Sequence, residues 1–296
     1  MLRQATQYLL PDGVGSAFAT QALAGQVDVE NGSTRAVDRT FYDTFDGRLH
    51  SEGMALVHED GRIVLLDAAS LAERAGRAWP AAPKRLFAAE LPASLLRDML
   101  EPIVDVRALT PIARVRGREH GMRVLNADAK TVVRLALEEP ALIGPGRQRT
   151  PLPPRLRLLP VRGYDKALRR VARALENGVG LRPAPLSLVD EAVTAAGGSP
   201  GGKAPRAKVE LRPEQRADEA VASVLRRMVE IVEANLPGTL ADVDSEFLHD
   251  LRVAVRRSRS VQRQLSGVFP TEPLLHFRDE FRWLQQATGP ARDLDV

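Results

Sequence analysis

The chain has no cysteine among its 296 residues, which removes disulfides, thiol nucleophiles and cysteine metal sites together. Aromatic residues make up only 4%, so a single-stranded nucleic-acid reader built on base stacking is not expected. No apolar run approaches the length of about 18 residues needed for a membrane helix. No basic segment followed by a continuous apolar one opens the chain, so a secretory signal is not expected either. The expected compartment is the cytoplasm by default. Lysine is scarce as well: Lys84, Lys130, Lys166, Lys203 and Lys208 are the only five among 42 basic side chains. Arginine offers a planar fork that can hold phosphate oxygens in pairs, although a GC-rich coding sequence gives the same bias. Net charge is only +4, so basicity has to be local to matter.

What is present begins with 44% hydrophobic residues, enough for a core, on a length that suggests roughly two domains. The most informative stretch runs from Phe247 to Arg263. His249, Arg252, Arg256, Arg259 and Arg263 are spaced three, four, three and four apart, which places them on one face of a helix. The stripe is about 21 Å long at 1.5 Å per residue. Like charges so placed repel by a few tenths of a kcal/mol per pair, and an extended anion would relieve that repulsion. Two readings stand. The face is solvated and paired with Glu246, Asp250 or acids of neighbouring helices, or it binds an anion. His249 lies near the helix start, where free backbone N–H groups favour phosphate. An imidazole beside phosphate tends to take up a proton, so binding is expected to tighten below neutral pH.

The rest of the chain divides at Gly197–Pro205, whose glycines and prolines hold neither helix nor central strand and read as a flexible linker. Before it, short strand-like pieces dominate. Residues 55–58 and 62–66 flank the hairpin turn Glu59-Asp60-Gly61. Residues 112–118 alternate, with Arg114, Arg116 and Arg118 on one face. Residues 121–125 and 131–137 flank a second turn. A short helix is expected over 91–100, with Ser94 or Pro92 near its start, and another over 165–177, ended by Asn177-Gly178. After the linker the period becomes helical: a helix opening at Pro213 and stopped by Pro237-Gly238, the arginine helix capped by Asp244 or Ser245, and a third after Thr271 with Phe277, Phe281 and Leu284 inward. The fold class is therefore α+β, with an antiparallel sheet or barrel followed by an all-α bundle.

His249-x-x-Arg252-x-x-x-Arg256-Arg257-x-Arg259, then Trp283-Leu284 and Gly289-Pro290-Ala291-Arg292-Asp293-Leu294-Asp295, closely resembles the start of a CHAD domain. The resemblance implies a helical bundle over 210–296 that binds inorganic polyphosphate along a basic groove, through His249, Arg252, Arg256, Arg257, Arg259, Arg263 and Arg292. It also implies that only the N-terminal portion of such a domain is present, and that the protein associates with polyphosphate granules. A structural reading of Arg292, pairing with an acid at the end of the third helix, stands beside the functional one.

Residues 1–178 resemble a CYTH domain, the triphosphate-tunnel fold. The resemblance rests on Phe41-Tyr42-Asp43-Thr44, Leu49, Gly53-Met54-Ala55-Leu56, Thr110–Val115 and Arg162-Gly163-Tyr164. Residues 179–209 are then the linker region. The departures from that family are pointed. Arg3, Ala5 and Gln7 stand where it has a Glu-x-Glu-x-Lys strand. Val57, His58 and Glu59 stand where it has arginines. Arg155 and Arg157 stand where its last strand has glutamates. Magnesium chemistry on phosphates needs such carboxylates, so no metal, cofactor or catalytic residue is expected. Arg114, Arg116 and Arg118 either line a residual anion-binding tunnel or face solvent beside acids. The expected function is non-catalytic polyphosphate binding on a CYTH-like scaffold. The alternatives are a metal-dependent tunnel triphosphatase and a binder of nucleic acid or acidic protein.

Overall fold

The computed structural model describes residues 7–11, 21, 25, 27–68, 72–203 and 209–290. The chain forms two compact units: Met1–Lys84, Pro92–Ile103 and Thr110–Gly202 make the first, and Arg85–Leu91, Val104–Leu109 and Lys203–Val296 the second.

The first unit is built on one antiparallel sheet. Its strands are β1 (Gln7–Leu9), β2 (Val29–Asp43), β3 (Met54–Glu59), β4 (Arg62–Asp67), β5 (Glu73–Ala78), β6 (Thr110–Leu125), β7 (Thr131–Ile143), β8 (Arg149–Pro151), β9 (Arg155–Pro160) and β10 (Arg182–Pro183). They lie in the order β10-β1-β9-β7-β6-β2-β3-β4-β5, with β8 added to β7. The pieces 112–118 and 121–125 are a single strand, β6, which pairs along most of its length with β2 and β7. The turn after β3 has positive φ at both Asp60 (50°) and Gly61 (69°), the backbone that a tight hairpin requires. The two edges of the sheet do not pair with each other among the described residues. The sheet is thus open, so that of the sheet or barrel expected it is the antiparallel sheet that forms. One edge, β10, has two residues and ends in Pro183, which has no N–H to extend a ladder.

Helices α1 (Arg48–Ser51), α2 (Leu95–Val104), α3 (Asp165–Arg173) and α4 (Leu188–Ala195) belong largely to this unit. Helix α3 runs on through a wide turn over Ala174–Val179 to the left-handed Gly180, two residues past the expected end. Its Val171, Ala172 and Leu175 pack with Met122, Val124, Val133, Leu135, Leu156 and Leu158 on the outer face of the sheet. Helix α4 falls in the stretch expected to be linker. Ser187 caps it by accepting from the Asp190 N–H at 3.1 Å. Its Leu188, Ala192 and Val193 pack with Phe41, Val57, Val64, Val115 and Leu142. Val115 points opposite to Met122 and Val124 on β6 by strand alternation, so α3 and α4 cover opposite faces.

The second unit holds α5 (Ala217–Leu240), α6 (Ser245–Gln264) and α7 (Thr271–Ala287). It also contains residues 85–91 and 104–109, joined to each other by Leu86 and Leu109, which exchange both backbone hydrogen bonds at 3.0 and 2.8 Å. Met228, Ile231 and Val232 of α5 pack on Ala254 of α6. Two expectations fail here. Helix α5 begins at Ala217 and runs through Pro237-Gly238. Phe277 of α7 is 54% exposed, and Leu274 is the buried residue of that helix. Pro237 lies in the last turn, where its missing N–H costs a single hydrogen bond. Gly238 is the close-approach point of α5 and α6: a Cβ there would lie 2.2 Å from the Phe247 ring. Among the described residues no helix is long and apolar enough to cross a membrane.

Candidate functional site

Helix α6 carries the arginine stripe, and its start is fixed by Asp244. The Asp244 carboxylate accepts from the N–H groups of Glu246 (3.0 Å) and Phe247 (3.2 Å), satisfying two of the free donors at the helix start. The other carboxylate oxygen accepts from the Ala108 N–H at 2.9 Å. Arg107, 1% exposed, donates to Asp244 at 3.4 Å and to Asp250, and its guanidinium lies 5.4 Å from the centre of the Phe247 ring. Arg85 donates to the carbonyls of Asp242 (2.6 Å) and Val243 (2.9 Å) just before the helix. The loop entering α6 is therefore held by two arginines that lie over a hundred positions earlier in the chain.

This clamp decides the charge of the stripe. Asp250, an acid expected to neutralise it, is engaged by Arg107. Among the described residues no ion pair forms at Arg252, Arg256, Arg257, Arg259 or Arg263. Arg252 and Arg259 are half-buried against the end of α7. Arg252 donates to the Gln285 carbonyl (3.2 Å) and the Thr288 hydroxyl (3.0 Å), and Arg259 to the Gln285 side chain. These acceptors are neutral, and the last turn of a helix carries partial negative charge that favours cations. Arg256, Arg257 and Arg263 are exposed. Leu248, Leu251, Val255, Ser258 and Gln262, each one position before a stripe residue and so about 100° round the helix from it, take the buried side of α6. His249 is half-buried in the first turns. The face thus presents guanidinium groups without carboxylate counterparts, an arrangement suited to phosphate oxygens. Arg292 lies outside the described residues, as do Asp293 and Asp295.

The sheet interior is organised differently. Arg39, nearly buried, is held by three glutamates: Glu59 (2.9 Å), Glu119 (2.9 Å) and Glu138 (2.8 Å). Arg157 pairs with Glu119 and Glu138, Arg35 with Glu59 and Glu119, and Arg155 with Glu191 of α4. Burial alone would lower the Arg39 pKa, but the charges of Glu138 and Glu59 outweigh it and raise it. Burial likewise works against the charged Glu119 carboxyl. The guanidiniums of Arg157, Arg35 and Arg39 oppose this and hold it well below the usual range. The space left is a cavity of about 50 Å³ beside Arg39, Glu59, Arg157 and Leu188, about right for a water or two. No group of three or more potential ligands able to hold a metal ion is found among the described residues.

Arg114, Arg116 and Arg118 do not line this interior. They project from the outer face of β6, where Arg114 and Arg116 both hold Asp38 at 2.7 Å and Arg118 holds Glu139 at 3.3 Å. The inward positions of that strand are Ala113, Val115, Gly117 and Glu119. Strand alternation separates the adjacent Glu138 and Glu139 in the same way: Glu138 is buried in the network and Glu139 pairs outside. The sequence reading did not find Arg85, Arg107 or α4. The first two have no local signal. The third has one, Ser187 three residues before Asp190 and apolar Leu188, Ala192 and Val193 at helical spacing.

Residues 223–296, about a quarter of the chain, match the family model of the CHAD domain. The CYTH family gives no match, and the antiparallel sheet of the first unit is consistent with a tunnel fold. No curated protein matches the chain.

Proposed function

We propose that the helical unit binds inorganic polyphosphate without cutting it. In this reading His249, Arg252, Arg256, Arg257, Arg259, Arg263 and Arg292 contact successive phosphates, and the sheet unit is a scaffold. The observation that carries the reading is the absence, among the described residues, of any carboxylate paired with the arginines of α6, whereas Arg39, Arg114, Arg116 and Arg157 of the sheet are each paired with one. The resemblance of this helix to the CHAD family supplies the ligand class. Against a triphosphatase stands the interior of the sheet, where Glu59, Glu119 and Glu138 are each held by guanidinium groups and so compete poorly for a metal ion.

Arg256→Ala with Arg263→Ala tests it, since both side chains are exposed and their loss leaves the packing of α6 untouched. The double variant is expected to bind long-chain polyphosphate roughly tenfold more weakly or worse, with a shallower salt dependence. Parent-like binding would remove the stripe as the site. Phosphate release from tripolyphosphate in the presence of magnesium or manganese would overturn the scaffold role of the sheet unit.

A further inference from the structure

Several exposed arginines on the sheet unit are neutralised: Arg62 holds Glu73, Arg74 holds Asp67, and Arg123 holds Glu30. The outer side of α3 instead gathers unpaired basic side chains on one helix. Lys166, Arg169, Arg170 and Arg173 are exposed at positions i, i+3, i+4 and i+7, with Arg162 just before the helix, and none has an ion pair among the described residues. The acid placed to pair with Arg173, Glu176 three residues on, instead accepts from the Tyr8 hydroxyl at 2.8 Å. Asp165 is the other acid of the helix, in its first turn. The helix C-terminus accounts for cations in the last turn, Arg170 and Arg173. It does not account for Lys166 or Arg169, which repel each other and Arg170, with Asp165, four residues before Arg169, offsetting part of that repulsion. Lys166, Arg169 and Arg170 line a concavity of about 760 Å³ together with Asn126, Gly163 and Asp165, within the volume range of ligand clefts.

We infer that the outer face of α3 is a second contact surface for a linear phosphate polymer, separate from α6. The inference rests on the polyphosphate reading of α6 for the identity of the ligand. The chemistry favours such a chain: the cations run about 10 Å along the helix, a length that suits successive phosphates. Tyr164 is the only aromatic residue at the concavity, too little for stacking a series of bases.

The test uses the full chain carrying Lys166→Glu, Arg169→Glu and Arg173→Glu, with the neutral triple Lys166→Gln, Arg169→Gln and Arg173→Gln beside it. Long-chain polyphosphate and duplex DNA are titrated at several salt concentrations, and the Arg256→Ala, Arg263→Ala variant is measured in parallel. The expected result is a loss of polyphosphate affinity of roughly tenfold in the glutamate triple, a smaller loss in the glutamine triple, and a shallower salt dependence in both. Parent-like affinity in both triples, with binding lost in the α6 variant, overturns this inference and leaves the function of α6 intact. Loss in the triples with an unaffected α6 variant overturns the α6 reading and leaves this one. A parent that does not bind polyphosphate overturns both, and triples that lose DNA but keep polyphosphate make the surface a nucleic-acid one.

Discussion

Arg107 donates to Asp250 across 143 positions of sequence, and the same guanidinium reaches Asp244, the cap of α6. One buried cation therefore anchors the helix start and takes up an acid that would otherwise lie free beside His249. The carboxylates of Asp244 and Asp250 and the Phe247 ring all contribute to the compensation of its charge. Removing the cation leaves those carboxylates with a lost partner in a poorly hydrated place. Arg107→Met is expected to destabilise the helical unit by about 3–5 kcal/mol. Adding Asp250→Asn should recover part of this. Hydrogen exchange at the α6 amides reads the effect, and unchanged protection in Arg107→Met would show that the pair contributes little.

Gly238 and Phe247 make a second testable contact. The Phe247 side chain is buried, and its ring carbons lie 2.2–2.5 Å from where a Cβ on residue 238 would stand. No side chain fits without moving the ring or separating α5 from α6. Gly238→Ala is expected to cost about 1–3 kcal/mol through overpacking. In the Phe247→Leu background the cost should shrink, because the smaller side chain opens the space. Urea denaturation of the four proteins in that cycle measures it, and an equal cost in both backgrounds would locate the strain elsewhere.

What the sequence made legible follows from how local each signal is. The hairpin at Asp60-Gly61, the Asp244 cap and the inward side of α6 at Leu248, Leu251 and Val255 are set by neighbours a few positions away, and each is present. The α+β division was legible for the same reason, because the hydrophobic period changes along the chain. Pro237-Gly238 misled because the same dipeptide that ends helices also serves where two helices touch. Phe277 misled because a helical apolar face reads as buried only when a partner covers it. The Arg39 network and the Arg107 clamp were invisible for a different reason. They join residues 99 and 143 positions apart, and a charge pattern says which side chains are basic without saying which acids reach them.

The interior network of the sheet makes acid stability the last measurable consequence. The Glu119 carboxyl is held below its ordinary value of 4.5, and that of Asp38 is lowered from 3.8 to about 2. For Asp38 the hydrogen bond from Arg114 is the chief cause, opposed by partial burial and helped by Arg116. A carboxylate depressed in the folded state adds stability that is complete above its unfolded value. That stability is lost as pH falls toward the folded one. For Glu119 the loss begins near 4.5 and continues downward, and for Asp38 it runs from 3.8 to about 2. Asp43 and Glu191 act in the opposite sense, since burial raises both carboxyls and protonation relieves it. Glu119→Gln separates the contributions. It is expected to lower stability at neutral pH, because Arg35, Arg39 and Arg157 each lose a charged partner. It should also flatten the fall in Tm between about pH 5 and about pH 3. Thermal unfolding of parent and variant across that window checks the sign. An equally steep fall in both would mean that the arginines around Glu119 do not hold its proton off.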